Sequence, residues 1–98
     1  MSTYLVLFKV SGSAPAPAGG PTPAEHQAWL DWKNDVADAI VDFGGPTRSV
    51  PGSGGDVVGY SIVRADSDDA LDAVFETNPH RRQGGILEFH EIVEMAGG

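Results

Sequence analysis

Three histidines, His26, His80 and His90, are the side chains of this chain best suited to proton transfer near neutral pH, because a neutral imidazole can accept a proton or hydrogen-bond a ligand. Lys33 follows His26 by seven residues, so on a helix the two lie on one side, at the edge of the apolar stripe. That pair admits two readings. In one, His26 is a general acid or base and Lys33 holds an anionic group; in the other, His26 bonds a nearby carbonyl and Lys33 lies along the rim of a sheet. Glu88 and His90 are two residues apart, which on a strand puts them on one face about 6.6 Å from each other. They can grip one ligand and assist His26, or form an ion pair between protomers or at a strand edge. His80, Arg81 and Arg82 form a positive cluster in an acidic chain, either a docking point for an anionic substrate, with His80 and Arg82 as contacts, or a solvated loop. Together these groups suit proton transfer or elimination on a small polar or aromatic molecule.

Other chemistries lack their residues. With no cysteine there is no thiol nucleophile, disulfide or thiolate metal site. Neither HxH nor HExxH spacing occurs, so no metal is expected, and nothing in the chain calls for a cofactor. Ser61 falls inside a strand, and Ser49 and Ser53 lack a flanking signature, so serine hydrolysis is not expected. The glycine cluster at Pro51-Gly52-Ser53-Gly54-Gly55 is followed by neither a helix nor a Lys-Ser/Thr pair and reads as a hairpin turn, not a phosphate loop. A formal charge of -8 opposes binding to nucleic acid or to an anionic membrane surface. The longest apolar run, Tyr4 to Phe8, is far short of the roughly 20 residues that span a bilayer, and no basic segment precedes it, so a cytoplasmic location is expected.

The elements that must position these groups belong to one domain, since 98 residues leave no room for a second core. Thr3 to Val10 reads as a first strand that is apolar on both faces, Tyr4, Val6 and Phe8 on one and Leu5 and Leu7 on the other. Ala14 to Pro23 is a proline-rich loop, expected to be mobile. The period then becomes helical from Pro23 to Phe43, with Trp29, Trp32, Val36, Ile40 and Phe43 in one stripe, Thr22 as cap and Gly44-Gly45-Pro46 as the stop. A short second strand at Thr47 to Val50, a third at Asp56 to Arg64, a helix from Asp68 to about Thr77 stopped by Asn78-Pro79, and a last strand from Ile86 to Glu94 complete the order βαββαβ. The predicted class is α+β, a four-stranded antiparallel sheet with both helices on one face. The other apolar face then needs a second copy of the chain, and a homodimer is expected.

Several segments in this order resemble the YCII-related family, including its DGPF branch, in the dimeric α+β barrel superfamily. They are Glu25-His26-Gln27-Ala28-Trp29, Gly44-Gly45-Pro46, Gly59-Tyr60-Ser61-Ile62-Val63, Ala65-Asp66-Ser67, Asn78-Pro79-His80, and Gly84-Gly85 leading to Ile92. The resemblance spans nearly the whole chain and implies a ferredoxin-like protomer paired sheet to sheet. Most such proteins have no assigned reaction, though some related ones look like enzymes with a His and Asp dyad, including a dehydrochlorinase of a chlorinated hydroxyquinol. His26 corresponds to the family histidine. Asn78 stands before Pro79 where the enzyme-like branch carries aspartate, and an amide cannot take up a proton as a carboxylate can. The expected function is that of a small-molecule-binding YCII-like protein. The competing reading is a non-catalytic dimeric binding or regulatory module.

Overall fold

The computed structural model of the chain describes residues 2–10, 22–53 and 55–93. Its elements are β1 (Ser2–Lys9), α1 (Pro23–Asp35), β2 (Ile40–Pro46), β3 (Val57–Ala65), α2 (Asp68–Val74), α3 (Pro79–Arg82) and β4 (Ile86–Glu91). The strands form one antiparallel sheet in the order β2-β3-β1-β4, with β1 and β3 at its centre. This is the ferredoxin-like α+β arrangement, two βαβ halves interleaved so that β1 lies between β3 and β4 and only β2 and β3 are neighbours both in sequence and in the sheet.

Strand alternation decides what the helices cover. Tyr4, Val6 and Phe8 of β1 and Val63 and Ala65 of β3 are buried with Trp32 of α1, Leu71 of α2 and Phe75 just beyond α2. Phe75 and Trp32 stack at 5.2 Å between ring centroids, and the Trp32 indole N–H donates to the Val74 carbonyl at 2.9 Å, tying α1 to the end of α2. On the opposite face Leu5 and Leu7 stand between Ile62 and Tyr60 of β3 and His90 and Glu88 of β4, half-buried in the single chain.

The helix starts follow their caps. The Thr22 hydroxyl accepts from the Glu25 N–H at 3.2 Å ahead of Pro23, and the Ser67 hydroxyl accepts from the Ala70 N–H at 3.1 Å. The helix ends differ from expectation. The helix predicted to Phe43 stops at Asp35, Val36 leaves the helical region at φ -115°, and Ala37–Ala39 make a single 3-10 turn before β2. Ile40 and Phe43 fit a helical stripe and a strand equally well, and pairing with β3, where Ile40 meets Val63 and Gly45 meets Tyr60, favours the strand. Gly44-Gly45-Pro46 therefore lies inside β2 instead of ending a helix. The strand expected at Thr47 to Val50 shrinks to one ladder bond, Thr47 N–H to the Val58 carbonyl at 3.0 Å. The second helix, expected to run to about Thr77 and stop at Asn78-Pro79, already ends at Val74, and Asn78-Pro79 instead starts α3 where a loop was expected. The last strand ends at Glu91, although the Ile92 N–H still donates to Thr3 at 2.8 Å. Residue 94 and residues 14–21 of the proline-rich loop lie outside the described residues. Among the described residues, no helix is long and apolar enough to cross a membrane.

Candidate functional site

A cavity of about 330 Å³ opens where the first turns of α1, the end of β1, the irregular part of β2 and the short α3 meet. Phe8, Trp29 and Phe43 supply aromatic surface, Gly44, Gly45 and Gly59 contribute small residues from β2 and β3, and His26 and His80 supply imidazoles. Trp29 packs edge-on against Phe8 at 5.1 Å and against Phe43 at 6.3 Å. An apolar hollow with a few convergent polar groups is the usual form of a small-molecule site.

The cavity depends on how β2 is held. Register shifts fall between Ile40 and Asp42 and between Asp42 and Gly45, so the strand bends away from a regular ladder beside the hollow. Two bonds fix the bend: the buried Ser61 hydroxyl donates to the Phe43 carbonyl at 2.6 Å, and the Gly44 N–H donates to the Asp42 carboxylate at 2.9 Å. Gly44 has φ +75°, and a Cβ there would overlap the Tyr60 carbonyl. Ser61, set aside as a nucleophile on sequence grounds, is a structural hydroxyl.

The two imidazoles are held differently. His26 is exposed at the end of the first turn of α1, at the rim of the cavity, and its side chain bonds to no other described residue. His80 is half-buried on α3. Its backbone N–H donates to the Asn78 side-chain oxygen at 3.0 Å, its ring lies edge-on to Phe8 at 5.4 Å, and its Nε2 is 2.7 Å from the Lys9 carbonyl. Gly85 makes room for that ring, since a Cβ at Gly85 would fall on it. Asn78 is wholly buried and caps α3, its oxygen also accepting from the Arg81 N–H at 3.2 Å. It serves the backbone of α3 and gives no carboxylate to the cavity.

Glu88 and His90 do meet each other. The Glu88 carboxylate takes a bond from the Lys9 ammonium at 2.8 Å and one from His90 Nε2 at 2.6 Å, and Lys9 also pairs with Asp56 at 3.0 Å. This network lies on the sheet face with Leu5 and Leu7, whereas the cavity lies on the helix-covered face, so within one chain the sheet separates Glu88 and His90 from His26. The Lys9 bond first, and then that of His90, holds the Glu88 carboxyl below the usual range, and the Lys9 bond does the same for Asp56. The bond to Glu88, followed by that to Asp56, raises Lys9.

The linkage has a definite sign. Carboxyls depressed in the folded state add stability above their ordinary values of 4.5 and 3.8, and this is lost as pH falls through their folded values. A raised Lys9 adds stability below 10.5 that is lost as pH climbs through its folded value. The stability difference between the wild type and Lys9→Met is therefore expected to be largest between about pH 5 and 10, to shrink outside that window, and to fall with added salt because the groups face water. Urea titrations across pH check it; a difference independent of pH would assign the effect to the Lys9 hydrocarbon stem.

The remaining candidates are dispersed. Lys33 sits over the Phe43 ring at 5.1 Å, outside the cavity lining. Arg81 pairs with Asp72 at 2.7 Å, and Arg82 borders a second hollow of about 350 Å³ that it shares with Asp31 and Asp35. His80 and Arg82, two residues apart in sequence, thus border different hollows. Among the described residues, no group of three or more His, Asp or Glu side chains is placed to hold a metal ion. Sequence reasoning missed Phe43 and Gly44 as cavity residues because it read them as the tail and stop of a helix. It counted Trp29 only as core, although an aromatic residue three positions after His26 on a helix was a legible signal.

The sequence matches no family model and no curated protein. Among solved structures the chain is similar to 5-chloro-2-hydroxyhydroquinone dehydrochlorinase from Burkholderia phenoliruptrix, determined in complex with 2,5-dihydroxybenzoquinone. The TM-score is 0.55 and the identity 20%, covering 88% of this chain and 90% of that one. At this identity the likeness is one of fold, and it extends over nearly the whole of both chains.

Proposed function

We propose that this chain is a small-molecule-binding protein of the YCII-like type whose ligand, a small planar ring, occupies the aromatic cavity beside His26 and His80. The observation that carries the reading is the convergence of two imidazoles on one hollow walled by Phe8, Trp29 and Phe43. A volume of about 330 Å³ falls in the range of small-ligand pockets. The dehydrochlorinase of similar fold binds a flat quinone, which supports a ligand of that class here. His26, exposed at the rim, is the group available to exchange a proton with a bound ring and with water, so the chemistry, where there is any, is proton transfer or elimination. The non-catalytic reading is favoured by one observation: Asn78 is buried as a helix cap, and among the described residues no carboxylate lines the cavity.

The test is binding of hydroquinone and resorcinol, two flat rings that are neutral near pH 7, followed by thermal shift and NMR. The His26→Ala variant is expected to keep its melting temperature within about 4 °C, as a surface substitution should, and to bind these probes about threefold to tenfold more weakly. Unchanged affinity would take His26 out of the site.

The same proposal includes a homodimer formed through the face that carries Leu5, Leu7, Tyr60 and Ile62, since apolar residues there are only half-buried in one chain. Light scattering at micromolar concentration should return twice the 10.3 kDa chain mass; a monomer mass would remove this part of the reading.

A further inference from the structure

The Lys9 carbonyl can only accept a hydrogen bond, so the His80 Nε2 that lies 2.7 Å from it must carry a proton. A neutral imidazole has one proton, so Nδ1 is left bare, and it has no hydrogen-bond partner among the described residues. The ring cannot readily turn to exchange its nitrogens, because Phe8 packs on it at 5.4 Å and Gly85 lies against it so closely that a Cβ would not fit. Among the described residues that line the cavity there is no lysine or arginine, and the chain as a whole carries a charge of -8.

We infer that His80 presents a hydrogen-bond acceptor to the cavity and thereby selects small planar rings carrying a hydroxyl donor, such as phenols and enols, over anions of the same size. The inference rests on the cavity being the ligand site and names the chemistry that the site reads. His80 is then a ligand contact whose tautomer is set from outside the site by the backbone of β1, and Gly85 is the residue that positions its ring. An anionic ligand would meet a lone pair and a negative chain, with no lysine or arginine among the described lining residues to offset them. A hydroxyl would find an acceptor already oriented.

The experiment uses the whole chain at pH 8, where phenol is un-ionised. Imidazole nitrogen NMR of the wild type is expected to show His80 protonated at Nε2 and bare at Nδ1; the opposite tautomer overturns the inference. Titrations with phenol, fluorobenzene and benzoate, followed at the cavity resonances, are expected to give phenol an affinity about threefold to tenfold above that of fluorobenzene, with benzoate no tighter than fluorobenzene. His80→Phe should bring phenol and fluorobenzene level, and Gly85→Ala, which displaces the ring without removing it, should do the same if the first variant folds poorly. Equal affinity for phenol and fluorobenzene in the wild type, or tighter benzoate, overturns the inference while leaving the cavity as the ligand site. A failure of all three probes to move the cavity resonances overturns both.

Discussion

Trp32→Ala is expected to remove most of the stability of the domain. The side chain is 1% exposed, touches Trp29, Phe43 and Phe75, and satisfies the Val74 carbonyl through its indole N–H. Truncating a buried tryptophan costs about 3–5 kcal/mol in lost contacts and cavity formation, and an orphaned carbonyl adds about 1 kcal/mol or more. A domain of this size has about 5–15 kcal/mol in all. The urea midpoint should fall by about 2 M or more, if the variant folds at all. Trp32→Phe keeps a ring and loses the hydrogen bond and part of the volume, and should cost about half as much. A loss below about 1 kcal/mol for the alanine variant would mean that α1 is not anchored to α2 by this residue.

The second large effect is expected at Gly44, where a single methyl group meets two separate obstacles. The backbone has φ +75°, which costs a non-glycine residue about 1–2 kcal/mol, and the added Cβ would overlap the Tyr60 carbonyl on β3. Relieving the overlap means moving β2 off β3, a packing penalty of about 1–3 kcal/mol. Gly44→Ala should therefore destabilise by about 2–5 kcal/mol and weaken the cross-strand contact between Gly45 and Tyr60 beside the cavity, which NMR can follow. Gly45→Ala is the matched control. Its Cβ would meet nothing within 4 Å and its φ is not positive, so it should change stability by less than about 1 kcal/mol. Equal effects at the two glycines would mean that neither the positive φ of Gly44 nor the Tyr60 carbonyl restricts β2 there.

These two positions also mark the limit of what could be read from residue order. Trp32 was recognisable as core because helical periodicity is a local property: Trp29, Trp32 and Val36 recur at the helix period whatever the rest of the chain does. The same holds for the caps at Thr22 and Ser67, the alternation that separates Tyr4, Val6 and Phe8 from Leu5 and Leu7, and the βαββαβ order. Local side-chain chemistry decides each of these, and together they were enough for the α+β class.

Gly44 was misread as a helix stop because Ile40 and Phe43 fit a helical stripe as well as a strand, and only hydrogen bonds to β3, a partner more than ten residues away in the chain, favour a strand. The site depended on tertiary structure to a greater degree. His26 and His80 are 54 residues apart in the chain and share a cavity because α1 and α3 both pack at the end of β1, its Phe8 lying beside both Trp29 and His80. Glu88 and His90 were legible as a pair on one strand face, but which face depended on β4 pairing with β1 in a register that puts Glu88 opposite Leu7 and His90 opposite Leu5. A shift of one residue would have turned both toward the helices, and no pattern within β4 alone could decide it, because side chains alternate with a period of two and long-range pairing sets the phase.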